Sequence, residues 1–144
     1  MSINIQFRQA TDDDYDFLWR LHYDTLKPYV EKIWSWDEQW QADRFRQTFD
    51  ADRNQIIQLD EKDVGVVDAQ TRSDDIFLAN IQISPQFQRQ GIGKAIIITI
   101  LADANEKQIP VTLQVFKINP ARHLYERLGF KIVETTATHY RMST

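Results

Sequence analysis

The chain has 144 residues, of which 42% are hydrophobic and 12% aromatic. This amount of apolar side chain is enough for one compact core, so a single domain over residues 1–144 is predicted. The 17 Lys and Arg residues against 21 Asp and Glu residues give a net charge of -4. That charge argues against nucleic acid as a general partner, because the phosphates would be repelled.

The absence of cysteine excludes disulfides and thiolate metal sites. The first residues lack the basic and then apolar build of a signal peptide. The longest apolar run, residues 95–101, is far shorter than the ~20 residues of a membrane span. We therefore expect a cytoplasmic protein that does not enter a membrane.

A helix is predicted over residues 12–25. Thr11 offers its cap, and Lys27-Pro28 makes the helix hard to continue, because proline disfavours helical geometry at the residue before it. The preceding stretch is predicted to form a half-buried strand, since three apolar residues alternate there with polar ones, namely Ile3, Ile5 and Phe7.

A second helix is predicted over residues 37–49, with Trp40, Phe45 and Phe49 facing inward. The connection between the two helices, residues 29–36, is too aromatic to be only a solvated linker. Three strands follow over residues 55–59, 64–71 and 76–83, and their short connections favour an antiparallel meander.

The second half of the chain alternates between helix and strand. A helix over residues 91–108 and a strand over 111–115 predict a right-handed parallel crossover after the third strand of the meander. The inner side of that helix is predicted from its spacing as Ile92, Ala95, Ile96, Thr99, Ile100 and Ala104. A shorter helix over residues 119–128 and a terminal hairpin, 131–135 with 139–142, complete the prediction.

Residues 81–94 carry the most informative motif. They predict a buried strand, a proline turn and then glycines that open a long helix. The start of a helix presents unpaired N–H groups and a positive dipole end, and glycine lets a bulky anion approach the main chain, which suits a pyrophosphate. A P-loop would need glycine at position 88 and a dinucleotide fingerprint a small residue at position 96, whereas the chain has Gln88 and Ile96.

The pattern Gln88-x-x-Gly91-x-Gly93 after Ile83-x-Pro85 closely resembles the coenzyme A signature of the GNAT N-acetyltransferases. The downstream segment from Asn119-Pro120 to Leu128-Gly129-Phe130, with a tyrosine at position 125, is similar to that family's second motif. The resemblance covers residues 54–134 well and fits the first fifty only in layout. It implies an α/β sandwich with a mixed, centrally splayed sheet of six or seven strands and about four helices.

The resemblance also implies which residues bind acetyl-coenzyme A. Ile81 and Ile83 are core residues by side chain, and their implied role is through backbone groups that a splayed strand leaves free. Asn119 is expected to hold the pantetheine arm, although a plain helix cap is the alternative. The remaining implied contacts form one continuous stretch: Gln88, Arg89, Gln90, Gly91, Ile92, Gly93 and Lys94.

Tyr125 matches the family tyrosine that sits close to the coenzyme sulfur. A phenol is protonated at neutral pH, so it can donate a proton to the departing thiolate. The alternative is a tyrosine packed in the core for its ring.

No general base is identified, because the strand position that often holds a glutamate in the family holds Phe77. Ordered water and several acidic residues stay open, although each acid is more typical of a plain surface charge: Glu31, Asp37, Glu38, Asp74 and Asp75. The three histidines are too scattered for a metal site and are expected to be structural or exposed, and no metal is predicted.

The acceptor wall is predicted in residues 29–40, where Tyr29, Trp34, Trp36 and Trp40 are interleaved with acidic residues. Aromatic faces beside carboxylates suit a cationic amine. Rings that merely cover the sheet are an equally favoured interpretation, and Trp40 in particular has the pattern of helix core.

The predicted function is acetyl-coenzyme A-dependent N-acetylation by direct transfer, since no cysteine is available to carry the acetyl group. The acceptor is a small-molecule or peptide amine that the sequence does not identify. The alternatives are a catalytically weak acyl-coenzyme A-binding module and a protein-interaction module. A monomer and a homodimer are both compatible with the sequence.

Overall fold

The computed structural model describes residues 4–144, so the predicted strand position Ile3 lies outside the described residues. The described chain forms one seven-stranded sheet in the order β1-β2-β3-β4-β5-β7-β6. The strands are β1 (Ile5–Gln9), β2 (Gln55–Leu59), β3 (Lys62–Thr71), β4 (Ile76–Ile83), β5 (Val111–Phe116), β6 (Lys131–Thr135) and β7 (His139–Ser143).

Four α-helices accompany the sheet in the described residues: α1 (Tyr15–Ile33), α2 (Glu38–Thr48), α3 (Ile92–Lys107) and α4 (Ala121–Arg127). β4 and β5 run parallel, whereas β1 with β2, β2 with β3, β5 with β7 and β6 with β7 run antiparallel. The predicted mixed α/β fold is therefore confirmed.

The ladder between β4 and β5 is short. It pairs Ile76 with Val111, Phe77 with Thr112 and Leu78 with Leu113. Since β4 continues to Ile83 and β5 to Phe116, this ladder covers only the first part of each strand. A short ladder of this kind is what the predicted central splay of the sheet requires.

The chain divides into two compact units. The first holds the described residues up to Asp68 together with Asn80–Ile92, and the second holds Ala69–Ala79 with Gly93–Thr144. The single domain over residues 1–144 stays a prediction.

The core of the first unit forms around five buried residues: Ala10, Leu18, Leu21, Ile56 and Val66. Phe45 and Phe49 of the second helical region pack against it, as predicted. Arg8 joins this unit's elements by donating hydrogen bonds to Asp14 at 2.7 Å and to Asp63 at 2.9 Å. These bonds hold the pKa of both carboxyl groups below the usual range.

Buried apolar side chains of the second unit lie on α3, on β5 and β7, and directly after α4. Buried members include Ile96, Ile97, Leu113, Phe130 and Met142. Thr99, predicted on the inner side of α3, is exposed, and its hydroxyl donates a hydrogen bond to the Ala95 carbonyl. Ile97 is buried instead, since α3 is apolar on most of its circumference and its spacing does not single out one face.

The first helix is longer than predicted. A 3-10 turn over Asp12–Asp14 leads into α1, which continues through Pro28 to Ile33. Proline in a helix interior costs about 3 kcal/mol, yet the following turn is anchored by Val30, which is buried and accepts the Trp34 N–H at 2.7 Å. The prediction of a stop before Pro28 was wrong, and the connection to α2 is only residues 34–37.

Trp40 was predicted to face inward and is instead 54% exposed. Phe45 and Phe49 follow it by five and nine residues, so at about 100° per residue they point away from the Trp40 side of α2. The Arg44 guanidinium lies 5.6 Å from the centre of the Trp40 ring.

The turn between β2 and β3 is shorter than the four residues predicted. β3 begins at Lys62, and only Asp60 and Glu61, both at positive φ, form the turn.

Candidate functional site

The segment between β4 and α3 folds back on itself through side-chain hydrogen bonds. A 3-10 turn over Pro85–Phe87 follows the strand, and the Gln88 Nε2 donates to the Ile83 carbonyl at 2.9 Å. The Gln90 Nε2 donates to the Gln86 carbonyl at 3.2 Å. The structure therefore brings Gln88 and Ile83 together. The Gln88 side chain binds the backbone carbonyl of Ile83 and so closes the turn.

Two residues of this segment have left-handed backbone geometry. Arg89 has a φ of 64° and Gly91 a φ of 83°. Left-handed residues in a turn aim successive N–H groups toward one side and create concavities that bind anions. For Arg89 this geometry is uncommon, because its Cβ crowds the backbone there. The loop is thus shaped by backbone geometry, and its side chains from Gln88 to Gln90 are exposed.

Gly93 lies in the first turn of α3 and leaves space beside it. A Cβ added at Gly93 would meet nothing within 4 Å. The helix begins at Ile92, which is buried, while Lys94 is exposed. Ile81 and Ile83 of β4 are only half-buried, so they are not among the buried core residues that their side chains were predicted to join.

In the second unit, Asn119 opens the segment that carries Tyr125. The Asn119 Oδ1 accepts the Ala121 N–H at 2.9 Å and so caps α4, the alternative role that its sequence position suggested. The Asn119 N–H in turn donates to the Phe116 carbonyl at 3.0 Å. These two bonds fix the turn between β5 and α4.

Tyr125 lies in α4 and is 8% exposed, with its ring 5.7 Å from that of Phe130. Burial raises the pKa of its phenol to about 12, because a low-dielectric surrounding disfavours the phenolate. The hydroxyl is therefore protonated at neutral pH. The packing of its ring against Phe130 also agrees with the alternative role, a tyrosine packed in the core for its ring.

The predicted acceptor segment is divided between a helix end and a short connection. Tyr29 lies within α1 and is half-buried, whereas Trp34 follows the helix and is 52% exposed. Trp36 is half-buried against the ring of Tyr23, with centroids 5.6 Å apart and planes at 85°. Its indole N–H is buried without a hydrogen-bond partner in the described residues, which is costly for a donor.

Three of the five acids left open as bases have structural partners or cap a helix. Arg72 holds the Asp75 carboxylate with two bonds of 2.6 Å, and the Thr112 hydroxyl donates to it at 2.8 Å, which keeps the pKa of Asp75 below its usual range. Asp37 caps α2 through the Trp40 N–H, and Glu31 lies 3.7 Å from Lys27. Phe77 lies under the Arg72 guanidinium at 4.8 Å.

His139 was expected to be structural or exposed, and it is half-buried. Its ring stacks on Phe116 with centroids 4.2 Å apart, and its Nδ1 lies 2.7 Å from the Thr138 hydroxyl. The contact with Phe116 could not be predicted from local sequence, because the two residues are distant along the chain. His22, by contrast, packs between Trp19 and Phe45 as a structural histidine.

Within residues 4–144, no three His, Asp or Glu side chains are grouped as metal ligands would be. None of the helices in that same range is long and apolar enough to cross a membrane.

Residues 26–140 match the family model of the acetyltransferase (GNAT) domain. The chain therefore belongs to the GNAT acetyltransferase family, as the two motifs predicted. Over 101 residues it is 33% identical to the [ribosomal protein bS18]-alanine N-acetyltransferase of Haemophilus influenzae. That match covers 69% of this chain and 64% of the relative, so this chain spans somewhat less than two thirds of it.

Solved structures share the fold at low sequence identity. The PaiA N-acetyltransferase of Thermoplasma acidophilum, solved in complex with coenzyme A, superposes with a TM-score of 0.78 at 16% identity over 98% of each chain. The ribosomal-protein-S18-alanine N-acetyltransferase of Escherichia coli has a TM-score of 0.66 at 20% identity, over 97% of this chain and 92% of its own. At these identities the likeness concerns the fold.

Proposed function

We propose that the protein transfers the acetyl group of acetyl-coenzyme A directly to an amine. The observation that carries the proposal is the backbone of the β4–α3 segment, where Arg89 and Gly91 have left-handed geometry and a Cβ at Gly93 would meet nothing within 4 Å. Such a loop at a helix start suits a pyrophosphate. Family membership supports the same ligand.

The pyrophosphate contacts fall to the backbone from Gln88 to Lys94, and the pantetheine contacts to main-chain groups of Ile81 and Ile83 and to Asn119. Tyr125 supplies the proton to the departing thiolate, because its raised pKa keeps the phenol protonated. With no cysteine in the chain, the amine attacks the thioester without a covalent intermediate.

The acceptor is the amine of a small molecule or a peptide, held by Tyr29, Trp34 and Trp36. The relative from Haemophilus influenzae is named for an alanine of ribosomal protein bS18, which makes an alanine-start peptide the first acceptor to try. The setting is cytoplasmic, with no nucleic acid or membrane partner, and the protein works as a monomer or a homodimer.

The experiment is a thiol-release assay with a panel of amines that includes an alanine-start peptide, free amino acids and polyamines. We expect coenzyme A release that requires both protein and one class of amine. Coenzyme binding without release on any amine would favour the weak binding module, and absence of coenzyme binding would favour the interaction module.

Gly93→Glu tests whether the backbone of residues 88–94 binds the pyrophosphate of coenzyme A. The substitution introduces a like charge beside the pyrophosphate without backbone strain, because a side chain at Gly93 meets open space. We expect coenzyme A affinity, measured by calorimetry, to fall by about tenfold or more, which corresponds to about 1.4 kcal/mol.

Gly93→Gln is the matched control, of equal size and without charge, and should lose less affinity. Gly91→Glu should also abolish binding, but the φ of 83° at Gly91 strains any side chain there, so Gly93 separates charge from strain. If a folded Gly93→Glu protein binds coenzyme A with unchanged affinity, the pyrophosphate does not bind at this segment.

Trp34→Ala tests the acceptor wall. Trp34 is 52% exposed, so its truncation should cost little folding free energy. We expect a higher acceptor KM and unchanged acetyl-coenzyme A affinity, because the lost contact belongs to one substrate. Phe7→Ala is the control, since Phe7 is a large aromatic residue with a similar exposure of 44% and lies on β1, outside the predicted acceptor segment 29–40. If both variants have equal acceptor kinetics, the aromatic residues of this segment only cover the sheet and do not bind the acceptor.

A further inference from the structure

The paired strands β5 and β7 present a polar face. Val111, Leu113 and Val115 are buried, so the alternate side chains of β5 lie on the opposite face of the sheet. In the antiparallel register those alternate residues pair with β7 as Thr112 with Ser143, Gln114 with Arg141 and Phe116 with His139. His139 therefore shares this second face with Gln114 and Phe116.

His139 is held in place through both its ring and its backbone. The ring stacks on Phe116 at 4.2 Å, with the planes at 32°. The His139 N–H donates to the Thr136 hydroxyl at 3.0 Å, and the His139 carbonyl accepts the Thr136 N–H at 2.9 Å. The Nδ1 lies 2.7 Å from the Thr138 hydroxyl, while the Nε2 has no recorded hydrogen bond among residues 4–144.

This ring lies beside the segment that leads to Tyr125. The Phe116 carbonyl accepts the Asn119 N–H, and the Lys117 N–H donates to the Thr138 carbonyl at 3.0 Å. Asn119 then caps α4, the helix that contains Tyr125. His139 is thus connected to both second-motif residues by one ring stack and a short series of backbone hydrogen bonds.

Charged side chains of β6, β7, α4 and the β5–α4 turn contact groups other than the His139 ring. On the same strand and its neighbour β6, Arg141 pairs with Glu134. From the β5–α4 turn and from α4, Lys117 and Arg122 lie over the ring of Tyr140, at 5.7 and 5.2 Å. Burial lowers the pKa of His139 below its ordinary value, so the imidazole is neutral at pH 7.

We propose that the Nε2 of His139 accepts the proton of the attacking amine, with the Nδ1–H donated to the Thr138 hydroxyl. The inference rests on the proposed N-acetyltransferase function and supplies the base that the sequence did not reveal. Asp75 is a weaker candidate, since Arg72 and Thr112 occupy its carboxylate.

The protons balance as follows. An alkylammonium acceptor loses two protons as it becomes an amide, while a C–N bond forms and the thioester C–S bond breaks. His139 takes one proton and releases it to solvent. Tyr125 gives its proton to the thiolate, which leaves as the free thiol, and the phenol is restored by the second amine proton.

His139→Gln tests this role, with the alanine-start peptide as acceptor and thiol release as the readout. We expect kcat to fall by ~10²-fold and coenzyme A affinity to stay within twofold. In the wild type, kcat/KM should rise with pH through the lowered pKa of His139, because the neutral imidazole is the active form. That rise should be absent in His139→Gln.

Thr138→Val should lower kcat by about tenfold, since Thr138 positions the ring and touches no reacting atom. His123→Gln is the matched control, because His123 is an exposed histidine of α4 and should leave kcat unchanged. Thermal melts of each variant establish that it is folded.

Nitrogen NMR of the wild-type imidazoles adds a readout that needs no acceptor and no variant. We expect His139 as the neutral Nδ1–H tautomer at pH 7, and the Nε2–H tautomer or a protonated ring would overturn the proposal. A folded His139→Gln protein with wild-type kcat would also overturn it while leaving the acetyltransferase function intact. A wild-type protein that acetylates no amine in the panel would overturn both.

Discussion

Tyr125→Phe is expected to lower kcat by ~10²-fold and to leave coenzyme A affinity within twofold of the wild type. The phenylalanine keeps the ring packing against Phe130 and removes only the hydroxyl that is proposed to donate a proton to the thiolate. Steady-state thiol release gives kcat, and calorimetry gives the coenzyme affinity.

The pH dependence of this step follows from the direction of the Tyr125 shift. Burial raises the pKa of the phenol from about 10 to about 12, so the acid form persists through the working range and kcat should not fall up to pH 9. Because the folded-state pKa is raised, the neutral phenol stabilises the fold fully below pH 10. This contribution is lost as the pH rises toward 12.

Tyr15→Phe is the matched control for Tyr125→Phe. Tyr15 packs edge-on against Phe45 and Phe49 in the first unit and belongs to none of the proposed coenzyme or acceptor contacts. Its loss should leave kcat unchanged. If Tyr125→Phe retains full turnover, water or another group delivers the proton and Tyr125 is a core residue only.

Gly65→Ala is expected to destabilise the protein by about 3 kcal/mol. A Cβ at Gly65 of β3 would lie 2.4 Å from the carbonyl oxygen of Gln82 in β4 and 3.0 Å from a methyl of Ile83. A backbone oxygen cannot rotate away as a side chain can, so the two strands must separate. For a chain of this size the melting temperature should fall by about 10 °C.

Gly93→Ala is the control for the same Gly-to-Ala change. A Cβ there meets nothing within 4 Å, and alanine favours the first turn of α3, so the melting temperature should stay level or rise slightly. Equal melting temperatures for Gly65→Ala and the wild type would mean that β3 and β4 can separate without cost.

Local pattern was sufficient to predict most of the sheet. The limits of β2, β4 and β6 agree with the predicted ranges, because alternating apolar residues bounded by turn residues define a strand within a few positions. The family was also accessible from the sequence, since the Gln88–Gly93 and Asn119–Phe130 motifs are contiguous segments, each with its own backbone requirements.

Contacts between distant residues decided the rest. α1 continues past Pro28 because Val30 finds a buried place that its neighbours in sequence do not reveal. His139 acquires its surroundings only when β7 pairs with β5 and brings Phe116 against it. The sequence by itself determined the strand pattern and the coenzyme motif, whereas only the tertiary structure decided which polar groups are buried, paired or left available, because burial and pairing depend on partners far apart in the chain.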